Sequence, residues 1–337
     1  MSRVEIFSQE DSGGFCGAFS VQHAALAFGA WISQDLVRKA NREQPGPHNM
    51  HGNTTVGFEV MPSNAAYTAA HLRLSYEEWD SAQPAPQSAA YKAWLKRQLA
   101  AGNPVAWFPI CKGDDHQCYP GARVPRLCRR LIDVATPACP LCADSCPNGG
   151  ECDHVEPVYG IFSNHPLSDP VVYADDYILH ASDQDLQTYY RPIESLNDSL
   201  AMTGNCLHAQ PGYGRNEMYP CFDTDVTYGL AVTGLATAGP ILPVALITPG
   251  AVSEPNIRDG APAVNLTGTV IVGGLSAGAR GVLYRYNGTD ALPAGPPYSV
   301  GAAYSTPFTA AGSTWTFADP VPFLSSSATY YVAVRLA

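Results

Sequence analysis

Charge is scarce in this chain: Asp, Glu, Lys and Arg make up 15% of its 337 residues, against 46% hydrophobic residues. So low a charge fraction with so much apolar material can bury a core, which excludes a disordered chain. Positive charge is scarcer still, with 19 Lys and Arg against 30 Asp and Glu. The net charge of -11 repels a phosphate backbone, so no nucleic-acid surface is expected. Long apolar runs are missing as well, and nothing reaches the roughly 18 residues a membrane span requires. Histidine is absent after His208 and cysteine after Cys221, so the last hundred-odd residues hold neither of the side chains most used for nucleophilic catalysis. Fifteen residues precede Cys16, too few for a signal peptide or an inhibitory pro-segment, either of which would already have been removed.

What is present begins with Cys16, in the run Gly13-Gly14-Phe15-Cys16-Gly17-Ala18-Phe19-Ser20. The segment Ala18 to Phe28 is rich in helix formers and stops at Gly29, so Cys16 is expected in the first turn of a helix. There the unpaired N–H groups and the positive end of the helix dipole favour a thiolate, the nucleophilic form. Gly13-Gly14 permits the tight path that brings a substrate carbonyl close. His154, in Cys152-Asp153-His154-Val155, follows Cys16 by 138 residues. That separation resembles the spacing of the papain-type hydrolases, in which the thiol and the histidine meet in space rather than in sequence.

Further segments fall in the same order. Cys16-Gly17-Ala18-Phe19-Ser20 resembles the papain motif, with Gly17 where that motif has tryptophan. The Cys-Gly pair, the helix and then Gly29-Ala30-Trp31-Ile32-Ser33-Gln34-Asp35-Leu36 are closer to the C39-like branch of the papain superfamily. A helix over Tyr91 to Leu99 leads into Gly102-Asn103-Pro104-Val105-Ala106-Trp107-Phe108, a strand similar to the one that precedes the histidine in both families. His154 leads into the strand Val155 to Phe162, and Asp176 to Asp183 resembles the strand that carries the third catalytic group.

The resemblance implies a papain-like α+β fold of two lobes, with roles carried over position by position. Cys16 would be the nucleophile and His154 the base. Asp183 would accept a ring N–H of His154, with Ser182, Asp185, Asp175 and Asp176 as competitors and no asparagine at the strand's end. Gln9 and the Cys16 N–H would form the oxyanion hole, although Gln9 lies seven residues upstream where papain has six. His180 is the alternative base. His23, seven residues after Cys16, reads as a core residue.

Ten cysteines point to an oxidising route. Cys118, Cys128, Cys139, Cys142, Cys146, Cys152, Cys206 and Cys221 lie in loop-like sequence and suit four disulfides, while Cys111 ends an apolar strand and reads as a buried thiol. The rival reading is zinc at Cys139-x2-Cys142-x3-Cys146-x5-Cys152-x-His154, which would take His154 out of catalysis. Sequons at Asn53, Asn197, Asn265 and Asn287 agree with a secreted or vacuolar/lysosomal glycoprotein.

Past Cys221 the sequence changes character. Thr227 to Pro262 is nearly free of charge, and Val264 to Val272, Gly281 to Tyr286, Thr314 to Phe317 and Thr329 to Leu336 read as short alternating strands. The expected organisation is a catalytic domain over 1–230 with a cysteine-rich insertion at 111–152, then a fibronectin-III or Ig-like β-sandwich over 240–337 that binds a protein or a glycan. Gly274-Leu275-Ser276-Ala277-Gly278 matches a nucleophile elbow but has no histidine after it, and reads as a turn. The expected function is a cysteine peptidase that needs no cofactor and cleaves a peptide or protein substrate. Alternatives are an acyltransferase on the same triad (transpeptidase, deamidase or transglutaminase-like) and an inert binding protein on the same scaffold.

Overall fold

The computed structural model describes residues 16–42, 60, 64–80, 88–107, 110–112, 151–153, 155–181, 188–193, 229–248 and 263–336. The fold is mixed α and β, with sheet outweighing helix. Of the residues predicted for the site, Gln9, His154 and Asp183 lie outside the described residues, as do Ser182 and Asp185.

The helices are α1 (Cys16–Leu26), α2 (Gln34–Arg42), α3 (Ala65–His71) and α4 (Ser88–Ala100). A six-stranded antiparallel sheet takes strands from β2 (Leu74–Glu78), β3 (Val105–Trp107), β6 (Glu156–Phe162), β7 (Tyr177–Ala181), β8 (Thr188–Pro192) and β9 (Gly229–Leu235), in the order β2-β9-β3-β6-β7-β8. The short strands β4 (Ile110–Lys112) and β5 (Glu151–Asp153) pair at the neck of the cysteine-rich insertion. In the C-terminal region β10 (Val244–Ile247), β12 (Thr269–Val272) and β15 (Trp315–Ala318) form one sheet. A second sheet holds β13 (Arg280–Asn287), β14 (Tyr304–Thr309) and β17 (Ala328–Arg335), and β11 (Asn265–Leu266) pairs with β16 (Phe323–Leu324). The second sheet has a fourth member from far upstream: β1 (Ala30–Ile32) pairs antiparallel with β17 through Ala30↔Tyr330, Trp31↔Thr329 and Ile32↔Ala328.

Helix α1 sits between these layers, and every residue from Gly17 to Leu26 is buried. Its apolar residues face two cores, and its polar Ser20, Gln22 and His23 are buried with them. Ala18, Val21, Ala24 and Ala25 pack into a core shared with Val105, Val158 and Leu230. Phe19 and Leu26 pack into another with Val244, Val270, Phe308 and Tyr331 of the C-terminal sheets. The buried Gln22 is satisfied, donating to the Ile32 carbonyl at 3.0 Å and accepting from Gln34 Nε2 at 3.1 Å. Gly29 ends the helix at φ 75°, and a Cβ there would lie 2.5 Å from Val244 Cγ1. Only glycine turns the chain so close to β10.

The regions expected as separate domains therefore meet over a wide front. Trp31 is fully buried in the C-terminal core, with its indole N–H donating to the Ser325 carbonyl at 3.1 Å. Tyr330 reaches the other way, its hydroxyl donating to Leu72 O at 2.9 Å. The run Gly274 to Gly278 forms the turn between β12 and β13. Two of the four sequons fall on described residues, and Asn265 and Asn287 are both exposed. No helix among the described residues is long and apolar enough to cross a membrane.

The C-terminal core also encloses an ion pair. Arg285 Nη1 donates to Asp319 Oδ2 at 2.9 Å, its Nη2 to Pro322 O at 3.0 Å and its Nε to Asn287 Oδ1 at 3.0 Å. The Tyr331 hydroxyl donates to the same Asp319 oxygen. Removing one partner of such a pair strands the other charge. Asp319→Ala is expected to cost about 3–5 kcal/mol, and the double change Asp319→Leu with Arg285→Met to cost less, measured by urea unfolding.

Candidate active site

Cys16 is the first residue of α1 and is half-buried, packed against the core that includes Val105, Val158 and Ile178. Its carbonyl accepts the Ser20 hydroxyl at 2.9 Å. The N–H groups of the first turn have no intrahelical acceptor, so this end of the helix favours an anion. Val60 explains the residue that follows. A Cβ on Gly17 would stand 2.5 Å from Val60 Cβ and 2.8 Å from its carbonyl oxygen, so this position admits no side chain.

The strands that flank His154 are held in one register. Val105 pairs with Val158 and Trp107 with Glu156 across β3 and β6; Ile110 pairs with Asp153 and Lys112 with Glu151 across β4 and β5. Each pair continues the last without a slip, so the two ladders keep the same register on either side of His154. Strand β6 then runs antiparallel to β7, with Val158 opposite His180 and Phe162 opposite Tyr177. The start of β6, entered from His154, and the end of β7, which leads to Asp183, therefore lie at the same end of the sheet. α1 packs across β6, β3 and β9.

Asp176 stands at the other end of β7. Its carboxylate takes Lys96 Nζ of α4 at 2.7 Å and the Tyr173 N–H at 2.9 Å, with Lys96 and Asp176 only 1% and 0% exposed. Burial pushes the Asp176 carboxyl up, but the hydrogen bonds from Lys96, Ser163 and the Tyr173 amide, with the Lys96 charge, hold it below the ordinary carboxylate range. A strand of five residues spans about 17 Å, so Asp176 lies about that far from the end of β7 at Ala181. Asp175 lies beside it, hydrogen-bonded to Asn164 Nδ2 at 2.7 Å. Both competitors of Asp183 on this side are thereby occupied elsewhere.

Alternation along β7 sets Asp176, Ile178 and His180 on one face, where Asp176 meets α4, and Tyr177 and Leu179 on the other. His180 is 1% exposed, opposite Val158. The His23 ring packs tilted against Phe19 with centroids 4.3 Å apart, and burial pushes its pKa down to about 3, so it is a neutral core residue at ordinary pH. Tyr190 is 59% exposed, with its ring 5.4 Å from that of Phe162. Tyr177, 40% exposed, joins them on the outer face through its register with Phe162. Those two partners were missed, although the alternation in Tyr177-Ile178-Leu179-His180 already set Tyr177 outward.

Among the described residues no group of three His, Cys, Asp or Glu is placed to hold a metal. Comparison of the chain with protein-family models, with curated proteins and with solved structures gives no match in any of the three.

Two outcomes follow from this geometry. Gly17→Ala is expected to destabilise the protein by about 1–3 kcal/mol, because a buried methyl must displace the Val60 backbone; thermal unfolding measures it. His23 binds its proton in the unfolded chain near pH 6.5 but in the folded chain only near 3. Its contribution is full above 6.5 and is lost as pH falls toward 3, at up to about 1.4 kcal/mol per pH unit. The stability of the protein relative to a His23→Leu variant should therefore fall between pH 6 and 4, and a flat difference would refute the assignment.

Proposed function

We propose that the protein is a cysteine peptidase with a papain-like, two-lobed catalytic domain, acting through Cys16, His154 and Asp183. The observation that carries this reading is the position of Cys16. It opens a wholly buried helix that packs on β6, the strand entered from His154, next to the end of β7, from which the chain runs on to Asp183.

The chemistry is acyl transfer. The Cys16 sulfur attacks the scissile carbonyl, and the oxyanion is held by the Cys16 N–H and the Gln9 side chain. As the C–N bond breaks, His154 passes its proton to the leaving amine, and a thioester remains on Cys16. His154 then takes a proton from water, which attacks the thioester and frees the acid and the thiolate. Asp183 fixes the ring of His154 and offsets its charge when protonated. A secreted or vacuolar setting agrees with the cysteine content and with the exposed sequon asparagines Asn265 and Asn287.

The test is alkylation by iodoacetamide without reductant across pH 4 to 9, with the label located by mass spectrometry. Cys16 is expected to react already at pH 5 to 6, and at least tenfold more slowly in a His154→Ala variant, which should also lose cleavage of an unstructured protein substrate. Labelling only above about pH 8, as for an unperturbed thiol, would overturn the peptidase reading in favour of an inert scaffold.

A further inference from the structure

We propose that Cys111 and Cys152 form a disulfide that staples β4 to β5 at the neck of the cysteine-rich insertion. The two residues stand directly opposite one another in the antiparallel pair, flanked by Ile110↔Asp153 and Lys112↔Glu151. Their opposition is more than a local hairpin's choice. The pairing continues the register of Val105↔Val158 and Trp107↔Glu156 in the six-stranded sheet, so the sheet itself fixes which residues face each other at the neck.

Directly opposed residues of an antiparallel pair have Cα atoms about 4.5 or 5.5 Å apart, according to their place in the hydrogen-bond ladder. Both values fall inside the window of roughly 4.4–6.8 Å that a disulfide spans. Register holds the backbones of Cys111 and Cys152 opposite each other, whereas Cys118, Cys128, Cys139, Cys142 and Cys146 all belong to the segment the neck encloses.

Bond formation is thiol–disulfide exchange with a small-molecule or protein disulfide. One thiolate attacks it to give a mixed disulfide, and the second thiolate displaces the remaining carrier thiol. Two cysteines lose two electrons and two protons, and the carrier disulfide becomes two thiols. The pairing removes Cys111 from the role of a lone buried thiol and Cys152 from the rival zinc set. It also closes a covalent ring two residues before His154, anchoring the backbone that leads to it.

The experiment starts from fully reduced protein equilibrated with mixtures of oxidised and reduced glutathione, quenched in acid and alkylated with N-ethylmaleimide. Digestion with trypsin and a glutamate-specific protease, without reductant, separates Cys152 from Cys146 at Glu151. The expected product joins Gln98–Lys112 to the peptide that begins at Cys152 and holds no other cysteine, two hydrogens lighter than their sum. Recovery of Cys111 as the alkylated thiol at the most oxidising ratio, or linked to any other cysteine, overturns the proposal. In a Cys111→Ser variant Cys152 should gain the maleimide label, and failure to gain it is equally damaging. Neither readout depends on Cys16 reactivity, so the staple and the peptidase reading stand or fall separately.

Discussion

Three residues of backbone tie this molecule together. Where Ala30–Ile32 joins the edge of β17, the chain that has just left α1 becomes part of the C-terminal sheet. The helix is thereby trapped between two β layers, with Ala18, Val21 and Ala25 turned to one core and Phe19 and Leu26 to the other. A helix closed in on all sides can afford no wobble at its first turn, and that turn carries Cys16. Gly17 against Val60 on one flank and Gly29 against Val244 at the far end show how little clearance remains.

The buried polar groups follow the same logic of fixing position rather than adding stability. Lys96 with Asp176 locks α4 to the entry of β7, and Arg285 with Asp319 locks β13 to the loop before β16. Breaking either pair by removing one partner would leave an uncompensated buried charge.

Much of the framework was legible from pattern alone. Helix formers between Cys16 and Gly29 gave α1, and Gly-x-Pro followed by an apolar run gave β3. Alternating runs gave β7, β13 and β17 within a few residues of their bounds. The seven-residue step from Cys16 to His23 correctly set that histidine in the core. What pattern could not reveal was partnership at long range. Ala30-Trp31-Ile32 carries no mark that its hydrogen-bond partner is some 300 residues away. The uncharged stretch after Thr227 gave no sign that β9 enters the middle of the first sheet while β10, a few residues on, joins another. Linear sequence does not show that Asp176 pairs with Lys96 of α4. Nor does sequence show that Val60 leaves no room for a side chain at Gly17.

The joining of β1 to β17 also sets an order of events. Loop closure over so great a separation is slow, and contacts between distant parts of a chain form late in folding. During synthesis α1, Trp31 and the six-stranded sheet emerge long before the strand that completes their enclosure. Until β17 arrives, Phe19, Leu26 and Trp31 have no C-terminal core to enter and the bed of the thiol stays open on one side. Enclosure of the helix that opens at Cys16 thus depends on a strand made some 300 residues after it.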